Sequence, residues 1–372
     1  MKTTCLLLLP LLILLAPVLG QAQFTYSTNA DGSICALSTN ADGSLNIAAY
    51  TGPPWAGDIP ANFWGMTVTT IGADAFAGCS SLTNVTIPGS VANIGSAAFY
   101  YCTSLTSVTI PPGVTNIGYD AFEGCVSLTN VVMPGGLTSL GTRSFADCPS
   151  LAGVTIPGSV ASVGNYAFGL CPSLSSATIA SGVTSIRQAA FYCCSHLSNV
   201  TIPASVTNIG SYAFGFCTSL TNLTIPAAVT SIADYSCQDC SSLCSVYFLG
   251  DAPAADSTVF SSDPKATVYY LPGTKGWSNS FGGVPTAPWF LPNPLILTNG
   301  PGFGLPGNVF GFMISWAPDT CVVVEACTNL ASPAWLPLQT NVLTNGWCFF
   351  SEPLQAAGGG RFYRVSSLGP ED

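Results

Sequence analysis

The chain has 372 residues, of which only 6% are charged, and its formal net charge is -10 with Lys and Arg totalling 7. So few cations cannot neutralise a phosphate backbone, which excludes nucleic acid as a partner. The length does not require several globular domains, because a repeat array buries apolar surface only between neighbouring units.

Residues 1–22 are predicted to be a secretory signal peptide. The start MKTTCLLLLPLLILLAPVLGQAQ carries one lysine, an apolar run from Cys5 to Leu19, and small residues at Gly20 and Ala22. This run is too short and too interrupted by proline to span a bilayer well, and no second long run follows. We therefore expect a mature chain without a transmembrane segment that is secreted or displayed at the cell surface.

A regular array follows a cap. Residues 23–70 are predicted to form a β-rich N-terminal cap, because turn dipeptides separate their short apolar runs.

From 71 to 248 the sequence repeats with a period of 23, in three columns spaced three positions apart. The aromatic column is Phe76, Phe99, Phe122, Phe145, Phe168, Phe191 and Phe214, with Cys237 in the eighth place. The cysteine column, named the thiol ladder, is Cys79, Cys102, Cys125, Cys148, Cys171, Cys194, Cys217 and Cys240. The leucine column is Leu82, Leu105, Leu128, Leu151, Leu174, Leu197, Leu220 and Leu243.

Each repeat predicts two short strands and a tight turn. In SLTNVTIP the apolar residues Leu82, Val85 and Ile87 and the closing proline are typical of a short strand. A second extended piece such as VANIG follows, and then a turn in which Ala or Ser always precedes the aromatic column. When these repeats stack at the strand spacing, every Phe is expected to lie on the Phe of the next repeat.

The pattern CxSLTxVTIPxxVTxIGxxAFxxC resembles the BspA-type leucine-rich repeat of bacterial exported and surface proteins. The resemblance covers about residues 65–290 and implies an elongated, curved scaffold that serves in binding or adhesion and carries no catalytic motif. Residues 249–290 look like the irregular last turn and C-terminal cap of such an array. Residues 291–372, with VEACTNL and RFYRV, resemble the C-terminal β-sandwich modules of secreted bacterial repeat proteins. The predicted fold class is a β-rich repeat solenoid, a leucine-rich-repeat array of about eight repeats, capped at both ends and followed by a small all-β domain.

The cysteines of the array are predicted to be structural. Equivalent residues of stacked parallel strands lie about 4.8 Å apart, whereas the Cβ atoms of a disulfide lie about 3.8 Å apart. We therefore expect the thiol ladder to consist of buried free thiols. The sequence leaves the pairing of Cys35, Cys193, Cys237, Cys244, Cys321, Cys327 and Cys348 open, although Cys321 or Cys327 could pair with Cys348.

No enzyme, cofactor or metal site is predicted. Cys237, Cys240 and Cys244 have a metal-like spacing but lack a fourth ligand, and two of them occupy core columns. His196 is the only histidine, and its column is otherwise serine, so it is interpreted as a turn residue. The stretch GFGLPG at 302–307 matches a dinucleotide fingerprint, but no helix pattern follows it.

Two faces of the array are candidate contact surfaces for a protein or glycan. One is the strand face, where Thr109, Thr155, Thr178 and Thr201 are expected to point outward. The other is the turn face, where Tyr100, Tyr101, Tyr192 and Phe216 are expected to be exposed. The alternative hypothesis is a structural element that self-associates in an extracellular matrix or cell envelope.

Asp120 and Arg143 share one column on adjacent repeats and are expected to form an exposed ion pair.

Overall fold

The computed structural model describes most of the chain after position 23, so the expected signal peptide lies outside the described residues. Within the described part, no helix is long and apolar enough to cross a membrane. The described residues are 24–28, 34–51, 56–290, 294–298, 303–304, 309–331, 333–353 and 361–367.

Six strands precede the array. The first three form an antiparallel meander, and the third pairs in parallel with the sixth, which leads into the array. A buried cluster of Leu37, Leu45 and Ile47 closes this end of the core. The six strands are β1 (Phe24–Thr28), β2 (Ile34–Thr39), β3 (Leu45–Thr51), β4 (Ala56–Asp58), β5 (Asn62–Phe63) and β6 (Met66–Ile71).

Each repeat forms one rung of a solenoid, numbered from rung 1 at Phe76 to rung 9 at Phe260. Every rung from 1 to 7 contributes two short strands that run parallel to those of the neighbouring rungs, so that Val85 pairs with Val108 and Val108 with Val131. The predicted solenoid is therefore confirmed. The first strands of successive rungs are β7 (Asn84–Thr86), β9 (Ser107–Thr109), β11 (Asn130–Val132), β13 (Gly153–Ile156), β15 (Ser176–Ile179), β17 (Asn199–Thr201), β19 (Asn222–Ile225) and β21 (Ser245–Phe248). The second strands are β8 (Asn93–Ile94), β10 (Asn116–Ile117), β12 (Ser139–Leu140), β14 (Ser162–Val163), β16 (Ser185–Ile186), β18 (Asn208–Ile209) and β20 (Ser231–Ile232).

The aromatic column forms the axis of the core. Successive Phe rings from Phe76 to Phe214 stack with centroids 5.0 to 5.7 Å apart and planes within 10° of parallel. All seven rings are at most 1% exposed. The predicted stacking of Phe on Phe is confirmed, and burial of each ring contributes roughly 1.5 to 3 kcal/mol.

The thiol ladder is also confirmed as a column of free thiols, buried from Cys102 to Cys240 and half-buried at Cys79. Each thiol from Cys102 onward donates a hydrogen bond to the carbonyl oxygen of the Phe one rung earlier, at 3.1 to 3.3 Å between sulfur and oxygen. Burial raises the pKa of the Cys171 thiol to about 12, which keeps it protonated and unreactive. These thiols therefore act as small core donors.

The turn of each rung from 1 to 8 has a left-handed backbone at two positions, two residues before and two residues after the aromatic column, and rung 9 has it at the second position only. These turns are not helical, because their amides bond to the next rung: the Phe99 amide donates to the carbonyl of Ala121 at 2.8 Å. The first left-handed column is Asp74, Ala97, Asp120, Arg143, Tyr166, Ala189, Tyr212 and Tyr235, with φ between 52 and 59°. The second is Gly78, Tyr101, Gly124, Asp147, Leu170, Cys193, Phe216, Asp239 and Ser262.

Rung 9 and three strands close the array. Strand β22 (Thr267–Tyr270) continues the sheet of β21 in parallel, and β24 (Val284–Pro288) continues it once more. The short β23 (Ser280–Phe281) forms a hairpin with β24. Phe260 is buried in the aromatic column, and Asp263 occupies the position of the thiol ladder.

The remaining strands form two facing three-stranded sheets, in the orders β25-β26-β29 and β28-β27-β30. Their shared core includes Phe312, Ile314, Val322 and Phe350. A third cluster of Leu271, Leu297 and Met313 joins this domain to the cap of the array. The strands are β25 (Leu295–Leu297), β26 (Val309–Ser315), β27 (Cys321–Cys327), β28 (Leu336–Val342), β29 (Trp347–Pro353) and β30 (Phe362–Ser367).

The disulfide considered for this domain is not formed. Cys327 lies on β27 in one sheet and Cys348 on β29 in the other, and both are free, as is Cys321. Burial raises the pKa of the Cys348 thiol to about 11. Three other cysteines whose pairing the sequence left open are likewise free, namely Cys193, Cys237 and Cys244, and Cys35 is buried.

Candidate functional site

The strand face carries two hydroxyl columns that differ in what their hydroxyls bind. In the column that contains Thr106, Thr129 and Ser175, each hydroxyl donates to a carbonyl of the preceding rung at 3.0 to 3.1 Å. This column therefore contributes to the scaffold, as a ladder of rung-to-rung bonds.

The second column contains the predicted site residues Thr109, Thr155, Thr178 and Thr201, all of which are exposed. Within the described part of the chain their hydroxyls make no hydrogen bond, so they are available to a partner. Thr155, Thr178 and Thr201 are paired in register on successive rungs, whereas Val132 separates them from Thr109. The structure thus brings three of the four together.

The turn face separates the four predicted aromatic residues into two groups. Tyr100 and Tyr101 lie together on rung 2, with ring centroids 4.6 Å apart and exposures of 37% and 42%. The ring of Tyr101 lies against Gly124 of rung 3, where a Cβ atom would approach the ring to 2.7 Å. Tyr192 and Phe216 lie on rungs 6 and 7, with ring centroids 5.4 Å apart.

Charged residues border the first group. Arg143 on rung 4 pairs with Asp120 on rung 3 at 3.7 Å, as the column spacing predicted. Arg143 also donates from Nε to Glu123 Oε2 at 2.9 Å, and a second guanidinium nitrogen contacts Oε1 of the same carboxylate. Glu123 is only 5% exposed, so the expectation of a purely exposed pair is incomplete. Burial first and the neighbouring Glu123 second raise the pKa of Asp120.

The second group is part of a larger cluster, the tyrosine patch, which spans rungs 5 to 8. Tyr192 is its centre and contacts Tyr166 and Tyr212 edge-on, each with ring centroids 6.1 Å away. Tyr212 in turn stacks on Tyr235 at 5.1 Å. All members are half-buried, and the flanking column consists of the neutral polar residues Asn165, Gln188 and Ser211 and the exposed acid Asp234. The tyrosine patch consists of Tyr166, Tyr192, Tyr212, Phe216 and Tyr235.

Sequence reasoning missed Tyr166, Tyr212 and Tyr235. They share the column two residues before the Phe, which is the first left-handed position of each turn. Because the left-handed backbone redirects the side chain, the residues before and after the Phe meet on one surface. The recurrence of tyrosine in three of four successive repeats of this column was a signal that could have identified them.

A cleft of about 490 Å³ lies where the cap of the array meets the β domain. Its walls include Lys275, Met313, Trp347 and Phe349, and both Trp347 and Phe349 are more than 40% exposed. Gly273, with φ at +90°, allows the close contact, since a Cβ there would lie 3.0 Å from Trp347 and from Met313. This cleft is a further surface with an exposed aromatic platform.

The remaining chemical candidates have structural environments. His196 is exposed, and its Nδ1 lies 2.6 Å from the carbonyl oxygen of Pro172 on the preceding rung, in a turn. Among the described residues, no three His, Cys, Asp or Glu side chains are arranged to hold a metal ion. Cys237 and Cys240 are buried, whereas Cys244 is exposed.

The repeat geometry agrees with the comparison with known sequences. The profile of the family described as "BspA type Leucine rich repeat region" matches residues 63–175 and 139–267, in six copies. These matches together span more than half of the chain. The chain belongs to this family. No match is found among curated proteins.

Solved leucine-rich repeat proteins have similar structures. A leucine rich cell surface protein from Faecalibacterium prausnitzii A2-165 is 29% identical with a TM-score of 0.50, and the match covers 66% of this chain and 76% of that one. A leucine-rich repeat protein from Bacteroides ovatus ATCC 8483 is 24% identical with a TM-score of 0.50, covering 68% and 71%. The T. pallidum leucine rich repeat protein is 32% identical with a TM-score of 0.48, covering 50% and 87%. The protein from Bacteroides ovatus, at 24% identity, supports only the assignment of the fold.

Proposed function

We propose that the protein is an exported, non-enzymatic module that binds a protein partner through the tyrosine patch on the turn face of its solenoid. The observation that carries the proposal is a contiguous network of half-exposed aromatic rings on rungs 5 to 8, centred on Tyr192. Tyrosine presents a large, rigid contact area together with one hydroxyl, at little cost in conformational entropy.

The surroundings of the patch are those of a protein-binding surface. Asn165, Gln188 and Ser211 supply neutral hydrogen-bonding groups beside the rings and Asp234 supplies one exposed carboxylate, and aromatic rings among such polar groups are typical of protein-binding surfaces. Family membership and the cell surface protein among the solved relatives support an extracellular role. A glycan partner is the alternative that the same aromatic surface allows, and the experiment below distinguishes it.

The test compares three variants of the full chain. Tyr192→Ser, Tyr212→Ser and Phe216→Ser together remove the centre of the patch, and Tyr100→Ser with Tyr101→Ser removes the separate pair on rung 2. A third variant, with Thr155, Thr178 and Thr201 replaced by Lys, places charges on the strand face that a partner there would have to desolvate. Partners captured from the native environment, and a glycan array, supply the ligands for quantitative binding.

Loss of protein binding in the first variant alone is the expected result, because desolvated aromatic residues contribute a disproportionate share of interface energy. Circular dichroism checks that each variant is folded. Loss of binding only in the strand-face variant would place the binding site on the strand face, at the column of Thr155, Thr178 and Thr201. Retained protein binding in all three would contradict the proposal, and binding of glycans alone would replace the protein partner.

A second candidate is self-association through the β domain, and one observation favours it. Strand β28 lies at the edge of its sheet, and Leu336, Leu338 and Val342 on it are 66%, 38% and 57% exposed. Exposed apolar edge strands promote pairing with another chain. Sedimentation velocity at increasing concentration tests it: self-association that Leu336→Lys with Leu338→Lys abolishes would support this candidate, and a monomer at all concentrations would exclude it.

A further inference from the structure

Two adjoining clefts form an aromatic groove between the cap of the array and the β domain. The cleft of about 490 Å³ is lined by Trp347 and Gly273, and so is a second cleft of about 400 Å³. Phe349 lines the first cleft and Phe290 lines the second. Trp347, Phe349 and Phe290 are 41%, 42% and 42% exposed. The aromatic groove therefore presents three partly exposed rings along one path, with Trp347 shared by its two halves.

Glycine backbone lies against the two outer rings on the side of the protein. A Cβ atom at Gly311 would lie 2.5 Å from Cζ of Phe349, and one at Gly346 would lie 3.1 Å from Cε1 of Phe290. Each ring thus packs closely on backbone and leaves the rest of its surface open to solvent. Because this packing exists before a ligand arrives, binding on these rings costs little side-chain entropy.

One unpaired cation lies in the aromatic groove. Lys275 is the only charged residue among the described residues that line it, and Lys275 forms no ion pair in the described part of the chain. Its backbone amide, and not its ammonium group, binds the carboxylate of Asp251 at 2.7 Å. By contrast, Arg143, Arg361 and Arg364 each pair with a carboxylate. An unpaired lysine beside exposed rings favours a ligand that carries an anionic group.

We propose that the aromatic groove binds an acidic oligosaccharide, with sugar rings stacked on Trp347 and Phe349 and a sugar carboxylate bound by Lys275. A pyranose ring has an apolar face of C–H groups, which suits the negative face of an aromatic ring, and a rim of hydroxyls that stays in water. Each cleft has the volume of a small-ligand site. Two such clefts in a row accommodate linked sugars, whereas a folded protein needs a broader contact area of about 800 Å² on each side.

This site is separate from the tyrosine patch, which lies on rungs 5 to 8. The oligosaccharide therefore does not depend on the protein partner proposed above. A chain that lacks the centre of the tyrosine patch is expected to bind the sugar with unchanged affinity, and this distinguishes failure of one proposal from failure of the other.

The experiment titrates the full chain with oligosaccharides in a calorimeter. The acidic probes are oligomers of galacturonic acid, alginate and hyaluronan and a sialylated oligosaccharide. The methyl ester of each probe that binds is the neutral control, because it keeps the sugar rings and removes the charge of the carboxylate. The parent chain is expected to bind at least one acidic probe, and to bind its methyl ester about three- to fivefold more weakly.

The variants assign the binding to the groove. Trp347→Ala is expected to lower the affinity about tenfold or more, whereas Trp347→Phe keeps an aromatic face and most of the affinity. Lys275→Met is expected to bind the acidic probe and its methyl ester equally. Phe362→Ala is the matched control, since Phe362 is 44% exposed on β30 of the opposite sheet and its loss should leave the affinity unchanged. Circular dichroism checks folding, and Phe349→Ala replaces Trp347→Ala if the latter is unfolded.

Three outcomes would overturn the proposal. The first is absence of binding to every acidic probe, or binding that the folded groove variant leaves unchanged. The second is equal affinity of the parent for an acidic probe and its methyl ester, which would remove the role given to Lys275. The third is binding of a proline-rich peptide and of no sugar, lost in the same groove variant, which would make the occupant a peptide.

Discussion

Replacing Arg143 with alanine is expected to destabilise the array although the side chain lies at the surface. Arg143 is 44% exposed and pairs with two carboxylates of rung 3, and these two acids have different environments. The Asp120 side chain is 40% exposed, and an ion pair of that kind contributes about 0 to 1 kcal/mol. The Glu123 side chain is 7% exposed and accepts two bonds from the guanidinium.

The magnitude follows from what Arg143→Ala leaves behind. Removing one partner of a fully enclosed ion pair costs about 3 to 5 kcal/mol, because the other charge is left buried. Because water reaches the guanidinium side of this pair, we expect a smaller loss in the free energy of unfolding, about 2 kcal/mol. Asp120→Ala is expected to cost less than about 0.5 kcal/mol, since burial and Glu123 already raise the pKa of Asp120 and disfavour its charge.

Urea denaturation followed by circular dichroism at neutral pH measures these differences. Arg143→Ala combined with Glu123→Gln is expected to recover most of the loss, because no buried charge remains. Arg187→Ala is the matched control, as Arg187 is exposed and forms no ion pair within the described residues. A cost of Arg143→Ala below about 0.5 kcal/mol, or equal to that of Asp120→Ala, would refute the assignment of Glu123 as the main partner.

Two further predictions concern the core. Phe145→Ala should lower the free energy of unfolding by about 3 to 5 kcal/mol, because Phe145 is fully buried between Phe122 and Phe168, and a loss below about 1 kcal/mol in urea denaturation would contradict this packing. In fully reduced protein, a thiol reagent should label exposed Cys244 in the native state and at least eight more cysteines after denaturation, a number about equal to the thiol ladder. Rapid labelling of ladder cysteines such as Cys148 in native protein would show that the ladder thiols are accessible to solvent, which contradicts their burial.

The period of the sequence was sufficient to predict the scaffold. Equivalent residues of stacked rungs must contact one another. The recurrence of Phe122 and Phe145, or of Cys125 and Cys148, at a spacing of one repeat therefore predicts that these side chains stack and are buried, even before the path of the chain is known. For the same reason, Asp120 and Arg143 could be assigned to one column and expected to pair.

Contacts between different columns could not be predicted in this way. Whether Glu123 reaches Arg143, or Tyr192 reaches Tyr212 and Phe216, depends on the left-handed turns that redirect side chains within a rung. Left-handed backbone usually signals glycine, asparagine or aspartate, but here tyrosine and phenylalanine adopt it because the rung-to-rung hydrogen bonds impose the turn. Glycine or aspartate at positions such as Asp74, Gly78 and Gly124 is consistent with these turns, but the tyrosines and phenylalanine in the same columns give no sign of them. Likewise, the two hydroxyl columns of the strand face have similar compositions, and only the structure distinguishes Thr106, which bonds to the scaffold, from Thr109, which does not.

The last prediction concerns the pH dependence of stability, which Asp263 is expected to dominate at the C-terminal end of the array. Its pKa is raised from 3.8 to about 7 in the folded chain, so between these values the folded state holds a proton that the unfolded state has released. Stability is therefore complete below about pH 4 and falls as the pH rises through 7, by about 2 to 4 kcal/mol. Asp263→Asn keeps the shape and removes the charge, so its unfolding free energy should exceed that of the parent at pH 8 and match it near pH 4. Asp239→Asn, which removes the neighbouring charge, should recover only part of this difference. Denaturation curves of the three proteins from pH 4 to 8 measure the effect, and parallel curves for the parent and Asp263→Asn would mean that water or a hydrogen-bond donor already compensates the buried carboxylate.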